Sequence, residues 1–302
     1  MNLWGIDLGG TKIEGAILDP GHPSQAVHRL RVPTESVHGY EHILGQIEKV
    51  ILQLEKASGG RRPDCLGIGT PGATEPSTGS LKNSNTLCLN GRPLRDDISA
   101  RLGIDVRLAN DANCFALAEA TLGAGRGSAV VMGLILGTGV GGGIVVNGQL
   151  LEGRHGIAGE WGHNTMRGES TPCYCGKNGC VEGVIAGPSL ERFYREHTGT
   201  GVRLPEIVQR AAAGELAAVA TLDRLREKFA EAIAVPMNII DPDAIVIGGG
   251  VGNLDLLYTE QTRQEVLKFL FNHEVRTAFL RPVLGDSAGV FGAAMLTKKH
   301  EV

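Results

Sequence analysis

The chain has 302 residues, enough for two domains each with its own core, and its 42% hydrophobic and 21% charged residues are ordinary globular usage. A net charge of −4 gives no electrostatic case for binding nucleic acid or a membrane surface, and no apolar run reaches the length of a membrane span. The N-terminus, MNLWGIDLGG, lacks the basic start, apolar run and cleavage site of a signal peptide, so a cytoplasmic protein is expected.

The first elements read LWGIDLGGTKIEGAILD, two short apolar runs joined by Gly9, Gly10, Thr11 and Lys12. The second run alternates, with Ile13, Gly15 and Ile17 against Glu14 and Ala16, which predicts a β-hairpin. A glycine-rich turn offers consecutive backbone N–H groups to an anion, and Asp7, just before it, can face a Mg²⁺ bound to phosphates there. The order Gly-Thr-Lys followed by a strand departs from the P-loop, which needs Gly-Lys-Ser/Thr and a helix. Residues 40–57 then place Ile43, Ile47, Val50, Ile51 and Leu54 on one helical face. CLGIGTPG is a strand closing on a turn. VRLANDANCFALAEATLGAG is a strand running into a helix, with Asn110 and Asp111 at the junction. An aspartate there commonly caps the helix. Kept ionised by the helix dipole, it can also act as a general base toward a hydroxyl.

AVVMGLILGTGVGGGIVVNGQLL repeats the first pattern: apolar strand, a turn containing Gly137, Thr138 and Gly139, a second strand, and an Asn147-Gly148 hairpin turn. One such turn would be only a turn. Two, in matching positions, favour a nucleotide, and suggest related halves whose hairpin turns face a shared cleft. PDAIVIGGGVGNLD is a buried strand ending in Gly248, Gly249 and Gly250, and GVFGAAMLTKK is a small-residue helix. No low-complexity linker separates the halves, so their boundary is expected to be a hinge.

Residues 159–183, GEWGHNTMRGESTPCYCGKNGCVEG, hold three of the six cysteines. Cys173, Cys175 and Cys180 with upstream His163 offer four ligands of the kind Zn²⁺ prefers, and four protein ligands leave no open position, so the metal is structural. Buried thiols and a redox pair are the alternatives. The close spacing with Gly176 and Gly179 argues against the first, and the lack of Cys-x-x-Cys against the second.

DLGGTK, LGTGVGGG, EWGH and CYCGKNGC together resemble the ROK sugar kinases of the actin/hexokinase ATPase superfamily, and the resemblance runs nearly end to end. It implies an α/β, two-lobed actin/hexokinase-like fold with a cleft: residues 1–110 plus 288–302 as the small lobe, and 111–287 as the larger lobe with the zinc loop. It implies that Asp7 to Lys12 and Gly137 to Gly143 hold ATP phosphates, with Gly248 to Gly250 near the adenosine. It makes Asp111 the catalytic base, and Asn110, Glu160, His163 and Glu182 sugar contacts. Gly72 and Asn85 are expected at the far side of the sugar pocket. The implied activity is ATP- and Mg²⁺-dependent phosphorylation of the 6-hydroxyl of fructose, mannose or glucose. The alternatives are an N-acetylglucosamine or N-acetylmannosamine kinase, or a sugar-responsive regulator. With the first turn inside the first ten residues, no DNA-binding domain and no nucleic-acid partner are expected. Family members are often dimers, so a homodimer is expected.

Overall fold

The computed structural model describes residues 2–298. The chain divides into two compact units. The first runs to Gly127 and includes Gly143–Ala158 and the chain from Val283; the second comprises Ser128–Gly142 and Gly159–Pro282.

The first unit is built on a five-stranded sheet of order β3-β2-β1-β4-β7. β1 (Leu3–Leu8) pairs antiparallel with β2 (Lys12–Asp19), which pairs antiparallel with β3 (His22–Pro33). On the other side β1, β4 (Cys65–Thr70) and β7 (Asp105–Asn110) run parallel. A small two-stranded sheet pairs β5 (Ala73–Thr74) with β6 (Leu81–Lys82). Helix α1 (Tyr40–Ala57) buries Ile43, Ile47, Val50, Ile51 and Leu54, as its period predicts. Two further helices, α2 (Leu94–Leu102) and α3 (Asp111–Thr121), belong to this unit.

The second sheet has the order β10-β9-β8-β11-β12, formed by β8 (Val130–Leu136), β9 (Val140–Val146), β10 (Gln149–Leu150), β11 (Ala244–Gly248) and β12 (Ala278–Leu280). β8, β11 and β12 are parallel, as β1, β4 and β7 are. Both sheets therefore have one topology, and the sequence echo between the two hairpins is a structural repeat. Asn147 and Gly148 both take positive φ, as the predicted hairpin turn between β9 and β10 demands. The helices of the second unit are α4 (Glu182–Ile185), α5 (Gly187–Thr198), α6 (Leu204–Ala212), the long α7 (Leu216–Ile240), α8 (Gly249–Gly252) and α9 (Glu260–Leu267).

The last helix, α10 (Ala288–Met295), returns to the first unit and lies on β1, β4 and α3. The contact is backbone to backbone: a Cβ on Gly5 would strike the Val290 carbonyl, and one on Gly292 the Cys114 carbonyl. That packing explains why α3 groups with the N-terminal strands. β2 also differs from its alternating pattern. It is buried on both faces, Glu14 included, because α1 covers one side and α10 the other. Among the described residues no helix is long and apolar enough to cross a membrane.

Candidate functional site

In the first unit the glycine turn is pinned locally. Gly9 N–H donates to the Lys12 carbonyl at 2.9 Å, Thr34 N–H to the Thr11 carbonyl at 3.0 Å, and Thr34 Oγ1 to the Gly9 carbonyl at 2.7 Å. Thr34, fully buried, was not singled out by the sequence. Gly10 is exposed, and a Cβ there would meet only Thr86 Oγ1, at 3.7 Å, so its backbone stays open to a ligand.

Asp7, one residue before the end of β1, lies on the α10 side, where a Cβ on Gly289 would stand 3.0 Å from its Oδ2. Burial, then the charges of Asp111 and Glu14, push its carboxyl up to about 6, against the pull of Lys12 and Arg31. Asp111 opens α3. The cap of that helix is Asn110, whose Oδ1 accepts from Asn113 N–H at 2.6 Å, while Asp111 Oδ1 accepts from Ala112 N–H at 2.8 Å. The capping role expected of Asp111 therefore belongs to its neighbour. Asp111 is solvent-accessible but set in enough protein that desolvation pushes its carboxyl up, the Ala112 N–H opposing. Cys114, wholly buried, is pushed well above the usual thiol range by burial and by Asp7 and Asp111.

Glu14 is the buried charge that the alternation hid. It is 1% exposed and pairs with Arg29 and with Arg31 at 2.6 Å, with the half-exposed Lys12 ammonium 3.8 Å away. Gly72 is buried beneath the 82–84 turn, where a Cβ would lie 2.7 Å from the Lys82 carbonyl. It acts as a packing glycine. Asn85 is exposed, and its Oδ1 accepts from Thr86 Oγ1 at 3.5 Å.

In the second unit the other two glycine turns meet. Gly137 N–H donates to the Gly139 carbonyl at 2.9 Å, Gly187 N–H donates to the Gly137 carbonyl at 2.8 Å, and Gly250 N lies 4.0 Å from where a Gly137 Cβ would stand. Gly249 takes positive φ against the Leu136 backbone. Thr138 lies in the same turn. The Glu160–His163 segment folds onto the start of β9: Trp161 is buried with Nε1 donating to the Gly141 carbonyl at 3.3 Å, and a Gly142 Cβ would lie 2.8 Å from the Gly159 carbonyl. Glu182, at the start of α4, reaches the same strand, its Oε2 accepting from Val140 N–H at 2.9 Å. Glu160, His163 and Glu182 are thus gathered around one glycine-rich strand.

His163 and the three cysteines converge. Their ligand atoms all lie within 4.8 Å of one another, with Cys175 Sγ to Cys180 Sγ at 3.5 Å and Cys173 Sγ to His163 Nδ1 at 3.6 Å. Ligands about 2.0–2.3 Å from a tetrahedral centre lie roughly 3.3–3.8 Å apart, which these two pairs match, and three thiols with one imidazole are the donor set Zn²⁺ prefers. The Lys177 N–H holds the Cys175 thiol below its usual range, while burial and the neighbouring cysteines push Cys180 up to about 12. The loop closes on itself through Cys173 N–H to the Lys177 carbonyl at 2.8 Å and Met166 N–H to the Gly179 carbonyl at 2.8 Å. Glu169, bonded to Arg224 at 2.8 Å, ties the loop to α7.

The ROK family profile matches residues 3–300. The chain is 36% identical over 303 residues to N-acetyl-D-glucosamine kinase of Escherichia coli O127:H6, covering 97% of this chain and 98% of that one. It is also 36% identical over 306 residues to the enzyme of that name from Photobacterium profundum, covering 98% and 99%. Among solved structures, the ROK hexokinase of Thermus thermophilus superposes with a TM-score of 0.85 at 31% identity, covering 98% of this chain and 97% of that one. A ROK family glucokinase from Streptomyces griseus, solved with glucose and AMPPNP, gives 0.77 at 29%, covering 98% and 99%.

Proposed function

This chain belongs to the ROK family, and from that premise we propose that it is an ATP-dependent sugar kinase that phosphorylates the 6-hydroxyl of N-acetylglucosamine. The N-acetyl-D-glucosamine kinases matched at full length favour that sugar. The Thermus hexokinase and the Streptomyces glucokinase support a second reading, in which an unmodified hexose is used.

The observation that carries the proposal is the pair of carboxylates within electrostatic reach of each other, Asp7 on the strand that enters the open glycine turn and Asp111 at the start of α3. In this reading Asp111 accepts the proton of the sugar hydroxyl as that oxygen bonds to the γ-phosphorus, the β–γ phosphoanhydride bond breaks and ADP leaves. A carboxyl raised by burial is a better proton acceptor than an ordinary aspartate. The backbone N–H groups around Gly10 and Gly137–Gly139 hold phosphate oxygens, and Lys12 at the end of the first turn adds positive charge. Asp7 suits a hard cation, and Mg²⁺ there supplies neutralisation of the phosphate charge. Asn110, Glu160, His163 and Glu182 take sugar hydroxyls, as carboxylates and amides readily do. Zn²⁺ held by His163, Cys173, Cys175 and Cys180 supplies no chemistry in the reaction and fixes the loop that presents them. A coupled ADP-release assay with a panel of hexoses and N-acetylhexosamines tests the reading; no sugar-dependent ADP release from any of them contradicts it.

A further inference from the structure

Tyr174, between the first two cysteines of the cluster, has no part in the reading above. Its side chain is 76% exposed, yet its hydroxyl lies 3.0 Å from His163 Nε2, and the two rings meet edge-on with centroids 5.2 Å apart. The other ring nitrogen of His163, Nδ1, faces Cys173 Sγ. A histidine that ligates a metal through Nδ1 carries its proton on Nε2, so the Nε2–H donates and the Tyr174 oxygen accepts. That N–H is the donor with which His163 would hold a sugar hydroxyl. Glu182 and Glu160 are also within electrostatic reach of the phenol.

We propose that Tyr174 is a placeholder for the sugar: in the sugar-free protein its phenolic oxygen takes the hydrogen-bond direction of His163 that a sugar hydroxyl takes in the complex. The inference rests on the reading of His163 as a sugar contact. An exposed phenol is suited to this. It keeps the Nε2–H satisfied and the ring oriented, and it can swing into solvent without opening a core. A sugar hydroxyl arriving at His163 exchanges one oxygen acceptor for another, so the two compete for a single donor. The contribution of one such bond corresponds to about a two- to tenfold change in affinity, with exposure placing it toward the lower end.

Tyr174→Phe keeps the ring and removes only the competing oxygen. The sugar KM of this variant is expected to fall about two- to tenfold, with kcat changing less than KM, ATP KM unmoved and one zinc per chain retained by elemental analysis. A purely structural tyrosine would give the opposite sign. An unchanged or raised sugar KM, or loss of zinc, overturns the placeholder. A binding readout separates this from failure of the kinase reading. In protein with ¹³C-labelled tyrosine, the resonance that Tyr174→Phe deletes should shift on saturation with N-acetylglucosamine or glucose, whether or not turnover follows. Sugar binding with that resonance unmoved overturns the placeholder alone; no binding of any sugar overturns both.

Discussion

Glu182 Oε2 accepts a hydrogen bond from the Val140 N–H at 2.9 Å, which joins a carboxylate expected to hold sugar to the strand leaving the second glycine turn. A Cβ built on Gly139 would stand 2.7 Å from that same oxygen. Within the second unit, the turn assigned to phosphate and the carboxylate assigned to sugar are therefore one piece of structure, and disturbing either disturbs both.

The two glycine turns should consequently respond differently to a branched side chain. Gly10→Val has open space nearby and is expected to raise the ATP KM about tenfold or more while leaving the sugar KM within about twofold. Gly139→Val pushes Glu182 aside and is expected to raise both. Steady-state kinetics with each substrate varied in turn checks this, and a Gly139→Val defect confined to ATP would separate the turn from Glu182.

Asp111→Asn should lower kcat about 10²–10⁴-fold while sugar binding, followed by calorimetry, changes little. The base works only when deprotonated. Burial raises its pKa, so as pH drops wild-type kcat/KM should be lost at a higher pH than an ordinary carboxylate would give; Asp7, pushed up to about 6, protonates on its own account. Removing the Asp111 charge takes away a negative neighbour of Asp7, so the Asp7 carboxyl should titrate lower in the variant. Carbon-detected NMR titration reads that shift directly, and an Asp7 that titrates unchanged would show the two carboxyls to be uncoupled.

Cys175→Ser should lose zinc and raise the sugar KM more than tenfold. Freeing even a few loop residues costs about 1–2 kcal/mol each to re-order on binding, and each 1.4 kcal/mol is about a decade. The ATP KM should rise much less than the sugar KM, since no metal ligand lies in a glycine turn and the turn feels the loop only through Glu182. Glu182→Ala should weaken sugar binding with its zinc retained. A metal-free protein with a normal sugar KM would mean the cluster does not present the sugar contacts.

Gly292→Val should destabilise the first unit by about 1–3 kcal/mol or more, because its side chain would meet the Cys114 carbonyl where α10 crosses α3. Thermal unfolding measures this. A variant as stable as wild type would mean that the helix contact yields without cost.

Much of this architecture is legible in the sequence, for identifiable reasons. The period of residues 40–57 carries α1, because burial on one face leaves a one-face pattern, and the glycine turns between apolar runs carry the paired hairpins even though β2 is buried on both faces. The cysteine spacing carries the ligand cluster, since the ligands are local. What the sequence conceals is set by long-range packing. Glu14 reads as the solvent side of a strand until α10 covers it and Arg29 and Arg31 arrive from β3. Asn110 and Asp111 are both capping residue types, and only the backbone decides which of them caps α3. Thr34 lies outside every motif, and Tyr174 lies inside CYCGKNGC without being a residue type that ligates there. Their roles arise from the turn and the histidine that they reach. α7, at 25 residues the longest helix described, escapes the motif reading because its pattern carries no chemistry.

The most direct test is to incubate the protein with ATP, Mg²⁺ and N-acetylglucosamine and to follow the products by ³¹P NMR, with Asp111→Asn in parallel. The expected result is a sugar 6-phosphate formed in step with ADP by the wild type and lost in the variant. ADP without sugar phosphate, phosphate on another hydroxyl, or an Asp111→Asn variant that keeps a large share of turnover would contradict the assignment of Asp111 as the base of a sugar 6-kinase.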